Sequence, residues 1–179
     1  MIMVIGGPPG SGKTTVAERW AATHRYVLIS AGTKFRAMAK ERGMTLEAFG
    51  RAAEKDPSID RALDWAILDE IRARQAAGSN VVVDGRIQAH LLSKESISCL
   101  KVLIDAPLEV RARRIARRER KEVAEAKREI VARERSEQIR YKSIYGIDLQ
   151  DTSVFDFVID SGEKSPDEIV AMIAARVPR

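Results

Sequence analysis

Gly7-Pro8-Pro9-Gly10-Ser11-Gly12-Lys13-Thr14 fits the pattern G-x-x-x-x-G-K-[ST] and is followed by Thr15. Glycines at 7, 10 and 12 let backbone N–H groups close around phosphate oxygens, Lys13 can reach the β- and γ-phosphates, and Thr14 offers a hydroxyl to Mg2+. Val81-Val82-Val83-Asp84-Gly85-Arg86 ends an apolar run in a carboxylate, where a phosphate-loop protein keeps the acid that holds Mg2+ through water. Val102-Leu103-Ile104-Asp105 offers a second such acid, and spacing alone does not separate the two. Asp84 is favoured because Gly85 permits close approach and Arg86 brings a donor for a second phosphate. In Ser30-Ala31-Gly32-Thr33-Lys34-Phe35-Arg36, small residues precede a helix with Arg36 one turn in, which suits the floor of an acceptor site.

Phosphoryl transfer asks the protein for cations and N–H donors around oxygens that gain charge, with donor and acceptor in line. Arginines in excess of structural need are the expected sign. Arg114 and Arg118 are an i,i+4 pair on one helix face, and Arg133 and Arg140 share a face of the next helix. Between Arg111 and Lys142 there are thirteen Lys and Arg against six Asp and Glu, whereas the rest of the chain carries a slight acidic excess. The formal net charge of +5 is therefore local, which points to an anion-handling segment rather than a generally basic surface.

These groups need a scaffold, and the chain alternates short β-branched runs with helical patterns, as a parallel sheet of βαβ units does. Strands are predicted at Ile2 to Ile5, Tyr26 to Ile29, Val81 to Val83, Lys101 to Ile104 and Phe157 to Ile159. The first helix opens in the phosphate loop and runs to about Thr23, with Val16, Ala17 and Trp20 facing the sheet. Helices are expected near Thr33 to Arg42, Thr45 to Ala53 and Ile59 to Ala77, then from Leu108 to about Arg118, then toward Tyr145-Gly146. Ser165-Pro166-Asp167-Glu168 reads as an N-cap, a Pro at the first helical position and a capping-box Glu. At 179 residues one domain is the default size. The single cysteine, Cys99, allows no intramolecular disulfide, and His24 and His90 are isolated. No apolar run approaches a membrane-spanning length, so a cytoplasmic enzyme is expected.

The chain resembles the nucleoside monophosphate kinases, and among them the archaeal-type cytidylate kinases, over essentially its whole length. The likeness rests on GPPGSGKT, on ISAGTKFR (29–36), AKERGMTLEAFG (39–50) and IDRALD (59–64), on VVVDGR and IDAPLEVRARRIARRE, and on RYKSIYGID (140–148). It implies an α/β three-layer phosphate-loop kinase fold with a five-stranded parallel sheet in the order 2-3-1-4-5. It also implies one domain with a core at about 1–30, 79–112 and 152–179, a monophosphate-binding insert at about 31–78 and a lid at about 113–150. By the same likeness, ATP phosphates lie on residues 7–15, with Lys13 catalytic. Mg2+ is held by Thr14 and, through water, by Asp84. Arg114 stacks on the donor adenine. Ser30, Gly32, Arg36, Gly85 and Arg86 hold the acceptor, and Arg118, Arg133 and Arg140 are catalytic lid arginines. Cytosine presents an amino donor beside two ring acceptors, so Asp60, Asp64 and Arg61 are candidate base readers. The pattern departs from the family after Arg86, where Ile87-Gln88-Ala89-His90 replaces Leu-Ala-Gly-Trp.

The expected reaction is ATP-dependent phosphorylation of CMP and dCMP, by a monomer with no stable nucleic-acid or membrane partner. Adenylate or another monophosphate kinase is the alternative within the class. An RNA-binding ATPase is the alternative outside it, and it is disfavoured because the basic segment holds one aromatic, Tyr141, where single-strand readers interleave stacking platforms. A regulatory GTPase is excluded at the guanine-reading motif N-K-x-D, since the only asparagine, Asn80, precedes Val81.

Overall fold

The computed structural model describes residues 1–177, so the last two residues of the expected core lie outside the described residues. β1 (Ile2–Gly6), β2 (Val27–Ser30), β3 (Val81–Gly85), β4 (Leu100–Asp105) and β5 (Phe157–Asp160) form one parallel sheet in the order β2-β3-β1-β4-β5. All five predicted strands are present, and the order is the one the resemblance implied.

β1 is the clearest case of pattern becoming packing. Its residues alternate across the sheet. Ile2 and Val4 join Val81, Val83 and Ile29 under α4 (Pro57–Ala76), through Leu63, Ile67 and Ile71. Met3 and Ile5 join Val82, Val102 and Ile104 under α1 (Lys13–His24) and α8 (Pro166–Ala174), through Val16, Trp20, Ile169 and Ile173. Trp20 is core, as its spacing predicted. Three layers result, with β1 central and the phosphate loop leaving its C-terminal end, where ligands bind in parallel α/β sheets.

Between β2 and β3 stand α2 (Ala31–Glu41), α3 (Leu46–Lys55) and α4. Side chains of Ser30, Thr45 and Asp56 accept from backbone N–H groups at the first turns of these helices. Because Ser30 itself caps α2, the helix starts at Ala31 directly from the strand, earlier than Thr33. These helices carry their own small core of Ala39, Phe49, Ala53 and Ile59. α5 (Gln88–Lys94) follows β3, a seven-residue helix too short for its apolar periodicity to stand out in sequence. α6 (Leu108–Glu119) and α7 (Val123–Tyr145) form an antiparallel hairpin sealed by Ala112, Ile115, Ala116, Ala126 and Ile130. Since α6 is continuous from Leu108, the hairpin begins within the segment read as core. α8 starts with the expected capping box between Ser165 and Glu168.

Candidate active site

The loop between β1 and α1 is held from two sides. Arg111 donates from Nη1 to the Pro9 carbonyl at 3.2 Å and from Nε to the Ala106 carbonyl at 2.9 Å, and Nη1 also meets Glu134 Oε1 at 2.8 Å. On the other side Ser161 Oγ donates to the Ser11 carbonyl at 2.7 Å. Arg114 donates from Nη1 to the same carbonyl at 3.3 Å and from Nη2 to the Ser161 carbonyl at 2.6 Å. Arg114 thus lies against the loop at the end of β5. Gly7, Pro8, Pro9 and Gly10 form the turn, and Gly12 is the N-cap of α1, whose first turn holds Lys13, Thr14 and the exposed Thr15. Arg111 and Ser161 were not legible as loop anchors in the sequence, because each acts across more than a hundred residues.

Lys13 Nζ points back to the Pro8 carbonyl at 3.4 Å. Burial lowers its pKa to about 8; Asp84 opposes the shift and Arg133 and Arg86 add to it. A lysine held this way is short of anions, which a polyphosphate would supply.

Asp84 is buried at the end of β3. Its Oδ2 accepts from Thr14 Oγ1 at 2.8 Å and from Ser30 Oγ at 2.9 Å, while Oδ1 is buried with no partner. A carboxylate oxygen without a donor, beside a hydroxyl at the head of α1, suits a hard cation or its water. Asp105 is exposed and accepts from Ala106 N at 2.8 Å, capping the loop after β4, so the two strand-end acids differ in their surroundings. Among the described residues no group of three or more His, Cys, Asp or Glu could hold a metal.

Arg86 and Arg133 meet on Glu137, a residue that the sequence did not single out. Arg86 donates from Nε to Glu137 Oε2 at 2.7 Å and Arg133 from Nε to Oε1 at 2.8 Å. Burial opposes ionisation of Glu137, but Arg133 and Arg86 outweigh it and hold the carboxyl at about 2. Lys13, Asp84, Arg86, Arg133 and Glu137 therefore form one charged constellation at the loop.

A second buried group adjoins it. Arg140 donates from Nη1 to Asp60 Oδ1, leaving Asp60 Oδ2 and Arg140 Nε buried without partners. Tyr145 OH donates to Asp64 Oδ2 at 2.9 Å and Gln88 Nε2 to Asp64 Oδ1 at 3.3 Å. Burial pushes the Asp64 pKa up to about 7 against the Tyr145 hydrogen bond. Gly85 makes room for this: a Cβ there would lie 1.8 Å from Gln88 Oε1. Gln88 was missed because it stands in the stretch that departs from the family pattern.

Three candidates are not drawn into these groups. Arg118 is exposed and pairs with Glu119 at 2.5 Å, although it shares a face with Arg114. Arg61 is on the exposed side of α4, so Tyr145 and Gln88, not Arg61, are the polar neighbours of Asp64. Arg36 is exposed; its Nη2 donates to Thr33 Oγ1 at 3.0 Å and its guanidinium lies over Gly32. A shallow groove of about 820 Å³ between α3 and α7, flanked by Glu54, Lys127, Val131 and Ile139, contains none of the candidate residues.

The 2-3-1-4-5 sheet, the loop from β1 into α1 and the strand-end acid of β3 define a phosphate-loop phosphotransferase. The pattern of the cytidylate kinase-like family matches residues 2–163. The chain is 42% identical to a cytidylate kinase of Methanopyrus kandleri, covering 99% of this chain and 93% of the relative. It is 40% identical to one of Pyrococcus furiosus, covering 99% and 88%. A solved structure from Eubacterium ventriosum, described as an uncharacterized protein, superposes with a TM-score of 0.72 at 19% identity over 98% of this chain and 97% of that one, a likeness of fold alone. The chain belongs to the cytidylate kinase-like family. Among its described residues no helix is long and apolar enough to cross a membrane.

Proposed function

We propose that this protein transfers the γ-phosphoryl group of ATP to the phosphate of CMP, with dCMP as a second acceptor. The reading is carried by the constellation in which Arg86, on the β3 side, and Arg133, on the α7 side, share one carboxylate within electrostatic reach of Lys13. Cations from opposite walls suit a reaction that brings two phosphates into line and stabilises charge on the oxygens between them. The acceptor phosphate has a second pKa near 6, so near pH 7 its oxygen is already a nucleophile and no general base is required. The acceptor oxygen bonds to the γ-phosphorus as the bond to the β,γ-bridging oxygen breaks, and ADP leaves.

Lys13 and the loop amides hold the donor phosphates, and Arg114 marks the adenine side. Arg36 and Arg86 hold the acceptor phosphate, with Ser30, Gly32 and Gly85 shaping its floor. Thr14 and, through water, Asp84 would hold Mg2+, which when bound neutralises charge across the β- and γ-phosphates. We assign α2 to α4 as the monophosphate-binding insert and the α6–α7 hairpin as the lid, which carries Arg133 and Arg140. Cytosine is read by the Asp60 and Asp64 group. The unpartnered Asp60 Oδ2 supports this, because it can accept from the amino group at N4.

A coupled assay of ADP release over CMP, dCMP, UMP, AMP and GMP tests the proposal. ADP formation dependent on CMP is expected. The absence of acceptor-dependent ADP would remove the kinase reading, and a preference for AMP would move it to adenylate kinase.

A further inference from the structure

Glu137 is buried, lies one turn after Arg133 on α7, and receives the Nε of two arginines that come from different parts of the fold. Among the described residues neither the Arg86 nor the Arg133 side chain makes another hydrogen bond or ion pair. Both guanidiniums are thus gripped by the Nε edge, and their Nη groups remain available. A guanidinium is planar, so a bond at Nε fixes the direction in which the Nη edge faces. The constellation would otherwise be three cations, Lys13, Arg86 and Arg133, with Asp84 as the remaining anion.

We infer that Glu137 is a positioning residue for phosphoryl transfer, orienting Arg86 and Arg133 so that their Nη edges face the acceptor phosphate and the transferring group. The inference rests on the monophosphate-kinase reading and extends it to a residue that touches neither substrate. Its action lies in the alignment of two arginines that would otherwise repel each other, so its loss is felt most when both phosphates are in place. Salt-bridging alone, as a brace between α7 and the end of β3, would instead change stability and leave the kinetic constants together.

Steady-state kinetics of the full chain separate these roles. Glu137→Gln is expected to lower kcat at least tenfold and raise the CMP KM about tenfold, with the ATP KM within about twofold of wild type. Glu137→Asp, which keeps the charge on a shorter arm, is expected to recover part of kcat. In an Arg86→Ala background the same Glu137→Gln change is expected to cost at least about threefold less than in wild type, because part of its effect passes through Arg86. Wild-type kcat and CMP KM in Glu137→Gln, an equal rise in both KM values, or the same loss in both backgrounds would each overturn the inference. If Glu137→Gln does not fold, Glu137→Asp carries the test, and wild-type constants in that variant overturn it. Should wild type prefer another monophosphate, the comparisons are made with that acceptor: the choice of CMP then fails in wild type, whereas Glu137 fails only in the ratio of variant to wild type. A wild type with no acceptor at all overturns both.

Discussion

Arg140 donates from Nη1 to Asp60 Oδ1 across eighty residues of sequence, and both side chains are at most 5% exposed. The pair joins α7 to α4. Arg140 also lies over the Phe35 ring, with its Cζ 5.3 Å from the centroid. Breaking a buried pair from one side strands the other charge, which costs about 3 to 5 kcal/mol. Asp60→Ala is therefore expected to lower the unfolding free energy by about 3 kcal/mol, read from urea denaturation. Asp60→Leu with Arg140→Met, which removes both charges, is expected to regain most of that loss while CMP turnover stays impaired. A double variant as unstable as the single one would show that the charge is not what matters at this contact.

Asp64 is raised to about 7 by burial, well above a carboxylate in an unfolded chain. The folded protein then binds more protons than the unfolded chain between about pH 4 and 7, so this group makes stability fall as pH rises through that window and has no further effect above it. Asp64→Asn is expected to flatten that part of the stability profile. Tyr145→Phe removes a donor to the ionised form and is expected to move the Asp64 midpoint upward and cost about 1 kcal/mol, followed by carboxyl NMR and by urea unfolding.

Much of the scaffold was legible because it is written in local periods. The alternation in β1, the run Val81 to Val83 and the capping box at Ser165 each depend on neighbours within a few residues. Glu137 was not legible for the opposite reason. Along the chain it looks like Glu129, another acid on a basic helix, yet Glu129 is an exposed partner of Lys121 and Glu137 is enclosed by Arg86 and Arg133. Only packing distinguishes them. The strand-end acids show the same limit: spacing left Asp84 and Asp105 equivalent, and burial beside Thr14 and Ser30 separates their environments. Arg118 is the converse case, where a shared helix face with Arg114 did not carry it to the loop, because it sits near the exposed C-terminal end of α6.

Lys13 supplies a test that needs no turnover. Its pKa of about 8 in the free protein reflects burial and the nearby arginines. Phosphates beside it would raise that value, so ATP binding near pH 8 to 9 is expected to take up a fraction of a proton, and binding at pH 6 almost none. Calorimetry in buffers of different ionisation enthalpy measures the uptake. Lys13→Met is expected to abolish it and to lower kcat by at least about a hundredfold. Equal uptake in wild type and variant would assign the proton to another group.

Asp84, the proposed holder of Mg2+, offers a way to separate nucleotide binding from metal use. Asp84→Asn keeps an acceptor for Thr14 and Ser30 but removes the charge from the unpartnered Oδ1 side. The Mg2+ concentration needed for half-maximal rate is expected to rise about tenfold or more, while binding of ATP in the presence of a chelator changes little. An unchanged Mg2+ dependence would place the metal elsewhere.

Gly10 offers the most direct test of how loop shape bears on the proposed ATP binding. Its φ is +81°, and a Cβ there would lie 2.8 Å from the Arg111 carbonyl oxygen and 2.9 Å from the Arg111 Cβ. Arg111 has little freedom to retreat, because its side chain is fastened to Pro9, Ala106 and Glu134. Gly10→Ala must then displace the loop itself, and the expected result is an ATP KM raised about tenfold with the secondary structure retained. Gly43 provides the control. It also has a positive φ, +63°, but a Cβ there would meet nothing within 4 Å. Gly43→Ala carries the backbone strain without the collision, so it is expected to cost about 1 kcal/mol of stability and leave the ATP KM unchanged. If both variants shift the ATP KM alike, the effect belongs to general loosening of the chain; a shift in Gly10→Ala alone assigns it to the contact between the phosphate loop and the backbone of Arg111.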